Sequence, residues 1–286
     1  MRIAVLGSQG QLGRDLVPRL RGEVVPLTRA DIDLAKPAGI AATLAAVKPA
    51  VLMNCAAYNF VDQAETEPEA AMAVNGWGVR ALALACRDAN VKLVHFSTDY
   101  VFGLDSTRST PFAETDAPGP ASVYGISKLA GEYATLAADP RHLAIRTCGL
   151  YGVWGSGGKG GNFVETMLKI AGDGKPLKVV NDQFCTPSYT ADVAAAAAAL
   201  IERDAAGLFH VTNAGSASWH EFAASIFEQA GVKADLSPTT SAEFKRPAKR
   251  PPYSVLSCEK LAAAGVPAPR PWRDALAAYL AERRNK

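Results

Sequence analysis

The chain has 286 residues, 49% hydrophobic and 20% charged, which is ordinary globular composition and too apolar for disorder. Thirty basic against 28 acidic side chains leave a formal net charge of +2, without the basic stripe that nucleic-acid binding uses. No run approaches the ~20 apolar residues of a membrane span. The apolar start, residues 3–6, is too short for a signal peptide. The five cysteines and four histidines are scattered, with no Cys-x-x-Cys and no metal-ligand spacing. A cytoplasmic protein with no nucleic-acid partner, no membrane partner and no His/Cys metal site is expected.

In chain order, residues 2–6 predict a buried strand ending at Gly7, and residues 11–20 a helix. Residues 24–27 are a second strand, whose Pro26 suits a sheet edge. A helix over 40–47, a strand over 51–54, a long alanine-rich helix over 68–90 and a strand over 92–96 follow. Residues 124–137 read as helix and 143–146 as a fifth strand. Short apolar strands in strict alternation with helices mean an α/β fold with a doubly wound parallel sheet, covered on both faces.

The rhythm changes after Arg146. A glycine-dense loop over 152–161 precedes a helix over 162–171, a strand at 177–180 and a helix over 192–203. A strand near 208–211 leads to a helix N-capped by Ser218. A segment with Pro247, Pro251 and Pro252 then precedes a last helix after Pro271. These elements predict a smaller mixed region at the C-terminal edge of the sheet. The expected division is a dinucleotide-binding domain over 1–147, with returning segments at roughly 176–204 and 240–258, and a smaller substrate domain in the remainder of 148–286.

Gly7-Ser8-Gln9-Gly10-Gln11-Leu12-Gly13 follows the first strand and opens a helix. A diphosphate must approach backbone N–H groups at such a helix start, where a Cβ would collide with it. Cofactor choice is set about 20 residues on, at the end of the second strand. Thr28-Arg29 stands there, and an arginine pairs with a 2′-phosphate that a carboxylate would repel. This favours NADPH. Asp31 and Asp33 close by leave NADH open, and Arg29 reads equally as a solvated loop residue.

Tyr124 and Lys128 form Tyr-x-x-x-Lys, which puts a phenol and an ammonium on one helical face. A tyrosine of pKa about 10 is a poor proton shuttle at neutral pH, and a neighbouring ammonium draws it down. The fourth strand runs into Ser97-Thr98-Asp99-Tyr100-Val101-Phe102, placing hydroxyls where doubly wound folds bind ligands. Ser97 or Thr98 could hold a substrate carbonyl beside Tyr124; otherwise these hydroxyls cap the strand end.

These motifs resemble the dTDP-4-dehydrorhamnose reductase family, a branch of the extended short-chain dehydrogenases. The likeness runs nearly end to end. It includes the opening GSQGQLG, Asp31 to Leu34, Asn54 to Tyr58, Val61 to Glu65, STDYVF, and YGISKLAGE from Tyr124 to Glu132. It continues with Gly161 to Val164, Val180 to Gln183, Ser218 to Ala223, and Lys249-Arg250-Pro251. The resemblance implies a Rossmann-like reductase acting on a nucleotide-linked 4-keto-6-deoxy sugar. Hydride would pass from NADPH to the sugar C4, Tyr124 would donate the proton, and Lys128 would tune Tyr124 and hold the cofactor ribose. Thr98 would orient the carbonyl or adjust the acidity of Tyr124. Gly7, Gly10, Gln11, Leu12 and Gly13 would meet the diphosphate, and Thr28 or Arg29 with Asp33 and Leu34 the adenosine. Ala56, Ala57 and Tyr58, with Phe96 and Ser97, would line the path to the nicotinamide.

The resemblance also implies substrate contacts from Thr98, Asp99, Trp154, Asn162 and Arg250, the last on the nucleotide diphosphate in competition with Lys249 and Lys245. Where the family usually carries a sugar-contacting tryptophan, two residues before the Tyr-Gly pair, this chain has Gly149. Trp154, in the insert over 153–159, either replaces that surface or the pocket takes another sugar. Some relatives hold magnesium between acids at a dimer contact. Asp15 lies at the matching position, and both magnesium and a homodimer stay open. A reductase or epimerase for a different nucleotide sugar is the enzymatic alternative. A non-catalytic NADP-binding subunit like that of methionine adenosyltransferase is the other, and the intact Tyr124/Lys128 pair speaks against it.

Overall fold

The computed structural model describes residues 1–155 and 161–285. Its first half runs β1 (Arg2–Leu6), α1 (Gln11–Leu16), β2 (Glu23–Leu27), α2 (Ile40–Val47), β3 (Val51–Asn54), α3 (Pro68–Met72), α4 (Val79–Asp88), β4 (Lys92–Thr98), α5 (Val123–Ala138) and β5 (Leu143–Thr147). There follow β6 (Leu150–Tyr151), α6 (Phe163–Gly172), β7 (Leu177–Val180), β8 (Phe184–Cys185), β9 (Ser188–Tyr189), α7 (Thr190–Glu202) and β10 (Gly207–His210). The chain closes with β11 (Ala217–Ser218), α8 (Trp219–Ala230), β12 (Leu236–Thr239), α9 (Glu259–Ala263) and α10 (Trp272–Arg284). Among the described residues no helix is long and apolar enough to cross a membrane.

Six strands pair in parallel in the order β10-β5-β4-β3-β1-β2. The order reverses between β1 and β3, so the crevice beyond their C-terminal ends is the switch point at which such sheets bind ligands. Period-two alternation divides the apolar side chains between two cores. Ile3 and Val5 pack with Leu16 and with Val193, Ala197 and Leu200 of α7 on one face. Ala4 and Leu6 pack with Leu44 of α2 and with Val79 and Leu82 of α4 on the other. A separate core around Phe222, Ile226, Leu276 and Tyr279 joins α6, α8 and α10 to β7.

Four expectations are corrected. The first helix ends at Leu16 and continues as a 3-10 turn, Val17–Arg19, because Pro18 lacks the N–H an α-helix needs. The single helix expected over 68–90 is α3 and α4 joined by a π turn, Ala73–Gly78. The strand expected near 208–211 in the smaller region is β10, the sixth strand of the central sheet, beside β5. The stretch 176–204 divides: α7 packs on that sheet, whereas β7 pairs with β12 outside it.

Helix α5 lays a polar stripe on the sheet. Tyr124, Lys128 and Glu132 recur at i,i+4 on one face, at 9%, 3% and 0% exposure. Such a stripe is stable only if each group finds a partner, since an unpaired buried charge costs several kcal/mol. Lys128 Nζ donates to the Phe96 carbonyl at 2.5 Å. Glu132 accepts from Arg146 Nε at 2.9 Å and Nη2 at 2.6 Å. Arg146, on β5, also lies 3.3 Å from His210 Nε2 and 5.0 Å from the Phe102 ring centroid. Removing one partner of the Glu132–Arg146 pair leaves the other charge buried. Glu132→Ala should therefore lower unfolding free energy by about 3–5 kcal/mol in urea denaturation; a loss below about 1 kcal/mol would mean that the pair does not hold α5 to the sheet.

Candidate active site

The loop after β1 is clamped from two sides. Gly7 N and Ser8 N both donate to the Leu27 carbonyl, at 3.0 and 3.2 Å. A Cβ on Gly13 would stand 2.3 Å from the Gly7 carbonyl oxygen, and one on Gly7 2.8 Å from Ala56 N. The loop is thus pressed on its own helix and on the segment following β3, at the switch point. Gly10 caps α1 without a side chain, so no side-chain oxygen covers the N–H groups of the first turn, as a phosphate site requires. Leu12 is buried in the core beneath. Gln11 donates to the Leu150 carbonyl at 3.3 Å and accepts from Asn162 at 3.4 Å, tying this loop to the smaller layer.

At the end of β2, Asp31 accepts from the Thr28 backbone N–H and hydroxyl at 2.7 and 2.9 Å, and these bonds hold its carboxyl below the usual range. Arg29 pairs with Asp33 at 3.3 Å, but its side chain is 81% exposed. Such a pair contributes little, so the guanidinium is available to a phosphate. Leu34 is buried nearby.

Residues 55–58 are set by a network that the sequence reading did not name. Asn75 Oδ1 accepts from Tyr58 N at 2.9 Å, and its Nδ2 donates to the Tyr58 carbonyl at 2.9 Å and to Ser127 Oγ at 3.0 Å. Ser127 Oγ donates onward to the Tyr124 carbonyl at 2.8 Å. Asn54 Oδ1 accepts from Ala56 N at 3.1 Å. The π turn Ala73–Gly78 carries Asn75, in keeping with the use of π turns at functional sites. Its one sequence signal is a single amide directly after the apolar run Ala71 to Val74.

Tyr124 opens α5, whose N-cap Ser122 accepts from Gly125 N at 3.2 Å. A Cβ at Gly125 would lie 2.3 Å from the Tyr100 carbonyl oxygen. Glycine there lets the helix start rest on the turn after β4, and the rings of Tyr100 and Tyr124 meet edge to face at 5.6 Å. The Thr98 hydroxyl accepts from Tyr100 N at 3.2 Å and donates to Asp99 Oδ1 at 3.0 Å. Ser97 Oγ is buried with no hydrogen-bond partner among the described residues. An orphaned hydroxyl there fits a polar ligand at the end of β4.

Burial pushes the Tyr124 phenol well above its ordinary value; Thr98 opposes the rise and Asp99 adds to it. Burial lowers Lys128 to about 8, opposed by Glu132 and Cys55. The expected downward pull of Lys128 on Tyr124 is not the dominant effect. Its ammonium is spent on the Phe96 carbonyl, and desolvation outweighs it.

Of the expected substrate residues, Thr98 stands at Tyr124, whereas four others have partners of their own. Asp99 is 3% exposed and accepts from Ser254 Oγ at 2.6 Å and Cys148 Sγ at 3.0 Å. Asn162 caps α6, donating to the Gly152 carbonyl at 2.8 Å. Arg250 forms a two-pronged pair with Asp62, both distances 3.0 Å. Trp154 donates to Asp15 Oδ1 at 3.1 Å, and Arg14 covers its ring at 5.1 Å. Gly149 has φ +52° and abuts Pro187, so a tryptophan there would need a changed backbone. The rest of the insert, residues 156–159, lies outside the described residues. Asp15, matched to the magnesium acid, also accepts from Thr190 Oγ1 at 2.5 Å and lies 3.7 Å from Arg19. A carboxylate ringed by donors and a guanidinium does not fit a metal ligand.

Residues 1–285 match the family described as RmlD substrate binding domain. A dTDP-4-dehydrorhamnose reductase of Streptomyces griseus is 43% identical over 285 residues, 96% of this chain and 91% of that protein. The crystal structure of a Clostridium acetobutylicum dTDP-4-dehydrorhamnose reductase superposes with TM-score 0.93 at 37% identity, covering 99% of this chain and 100% of the other. A Bacillus anthracis dTDP-4-dehydrorhamnose reductase, solved in complex with NADP, gives 0.92 at 34% identity over 98% of this chain and 99% of that one.

The buried ammonium of Lys128 makes the polar stripe measurable. Its folded value of about 8 lies below its ordinary 10.5, so the unfolded chain holds more protons between those pH values and stability rises with pH across that window. Below it, the folded state carries the full cost of the buried charge. The stability of Lys128→Met relative to wild type should therefore be most favourable at neutral pH and decline as pH climbs from about 8 to 10.5. An offset that stays flat in urea titrations across the window would show that this ammonium is not desolvated.

Proposed function

This chain belongs to the RmlD substrate binding domain family, and we propose that it is an NADPH-dependent oxidoreductase reducing the C4 keto group of a nucleotide-linked 4-keto-6-deoxy sugar. The substrate named is dTDP-4-dehydro-L-rhamnose and the product dTDP-L-rhamnose. The observation that carries this reading is the buried pair Tyr124 and Lys128 of α5, laid against the C-terminal end of β4 with Lys128 Nζ on the Phe96 carbonyl at 2.5 Å.

The described residues fit a dinucleotide. The bare first turn of α1 takes the diphosphate, Arg29 the 2′-phosphate, and Ala56, Ala57, Tyr58, Phe96 and Ser97 flank the nicotinamide end. When bound, NADPH would supply a hydride to the sugar C4. Tyr124 gives its proton to the oxygen that gains negative charge: the phenol O–H bond breaks as the product O–H forms. The phenol is protonated at neutral pH and gives its proton up only when an alkoxide, a far stronger base, forms beside it. Lys128, one helical turn on, offsets the phenolate then left behind. Thr98 holds the carbonyl in line with Tyr124. Arg250 turns from Asp62 to the nucleotide diphosphate, a bidentate acceptor like the carboxylate it leaves.

Tyr124→Phe should lower kcat for NADPH oxidation by dTDP-4-dehydro-L-rhamnose roughly 10²- to 10⁴-fold, with NADPH affinity unchanged by fluorescence titration. Undiminished turnover would remove Tyr124 as the donor. Arg29→Ala should raise KM for NADPH roughly tenfold, the loss of one exposed charge-assisted contact, and leave KM for NADH alone. Equal changes for both cofactors would place the 2′-phosphate elsewhere.

A further inference from the structure

Asn54 ends β3, and His95 stands directly opposite it on β4. Two residues earlier, on the same face of the sheet, the matching pair is Leu52 and Leu93, both in the apolar core with α4. The apolar ladder thus turns polar at its last step, where Asn54 and His95 are 1% and 0% exposed. Apolar groups at both positions would serve stability as well, so the polar pair marks a constraint on geometry.

The hydrogens of this pair follow from its donors and acceptors. The Ala56 backbone N–H can only donate, and it reaches Asn54 Oδ1 at 3.1 Å. Asn54 Nδ2 is therefore the atom that faces His95 Nδ1 at 3.2 Å. An amide nitrogen also only donates, so Nδ1 carries a lone pair and the imidazole proton sits on Nε2, which has no partner among the described residues. Burial and the Lys128 ammonium hold the ring well below its usual pKa, so it stays neutral and keeps that lone pair.

We infer that His95 is a positioning residue: it locks the Asn54 amide with Oδ1 on Ala56 N, and so sets the segment from Ala56 to Tyr58 against the glycine loop, where the nicotinamide end of the cofactor is held. Ala56 N is the sensitive atom. Cys55 N still continues the sheet, donating to the Leu6 carbonyl at 2.9 Å, and Tyr58 is fixed from the far end by Asn75. Between them, Ala56 N donates to a side chain, and a Cβ on Gly7 would stand 2.8 Å from it. Were the amide turned over, Nδ2 would meet Ala56 N–H, donor against donor, and the segment would be pushed off its place.

The inference rests on the reductase reading for what the segment does, but not for how it is held. Leucine at position 95 removes the acceptor, whereas asparagine restores one, because its Oδ1 takes the place of Nδ1 on the same Cγ. His95→Leu should weaken NADP binding roughly five- to tenfold in fluorescence titration, the loss of about one hydrogen bond. Binding of 2′,5′-ADP, which carries only the adenosine half, should match wild type, and His95→Asn should recover most of the NADP affinity. Unchanged NADP affinity in His95→Leu, equal losses for both ligands, or no recovery in His95→Asn would overturn the inference and leave the pair as packing. Two readouts need no ligand. Hydrogen exchange at Ala56 N–H should quicken in His95→Leu while Cys55 N–H keeps its rate, and equal rates at Ala56 in the two proteins would count against the lock. In wild-type histidine NMR, His95 should show a protonated Nε2 and a bare Nδ1; a protonated Nδ1 would overturn the inference even if no variant folds. Wild-type protein that binds NADP but never reduces the 4-keto sugar would defeat the reductase reading alone, and these measurements would still decide the role of His95.

Discussion

Everything in the crevice depends on how α5 lies on the sheet. A helix normally buries an apolar stripe, but this one buries Tyr124, Lys128 and Glu132. The three groups are accommodated by different parts of the sheet: a hydroxyl at the end of β4, a carbonyl two residues earlier, and a guanidinium on β5. Each of the three groups is one helical turn from the next, so the register of α5 against β4 and β5 is set by polar matching. Apolar packing alone would tolerate a slip along the helix; an unpaired Glu132 or Arg146 would not. Stability and the aim of the phenol therefore come from one contact surface.

The same arrangement explains why the phenol is raised. Classing Lys128 as a group that acidifies Tyr124 treats the two side chains as an isolated pair on a helix. In the fold, burial and Asp99 act on the phenol in the other direction, and the ammonium is bound to a backbone carbonyl. The phenol is therefore protonated at neutral pH. Lys128 then matters most after the proton has left.

Much of this was legible in the residues. Alternating short apolar strands and helices are visible because each strand is covered on both faces, and the glycine loop because its spacing reflects close backbone approach. Tyr124, Lys128 and Thr98 were legible as a set, and Pro26 as a mark of the edge strand β2. Other features depend on distant partners and leave no local sign. Gly207 to His210 looks like any short strand, and only its pairing with β5 places it in the central sheet. Asn75 is one amide in an apolar helix until a π turn directs it at residue 58. Asp99 follows a catalytic-looking threonine and so reads as a substrate contact, but Ser254, 155 positions away, closes over it.

Gly149 marks where this chain departs from its family's usual pattern. Its backbone is left-handed, and a Cβ there would stand 3.3 Å from Pro187 Cα and the Thr186 carbonyl oxygen. Trp154 sits against Asp15 and Arg14 of α1, on the phosphate-loop helix. The most direct measurement is a crystal structure with NADP and the reduced sugar nucleotide both bound. The sugar O4 should lie about 2.7–2.8 Å from both Tyr124 Oη and Thr98 Oγ1, with the nicotinamide on the opposite side of C4. An O4 hydrogen-bonded to other groups, with the Tyr124 hydroxyl turned away from the ring, would contradict the account.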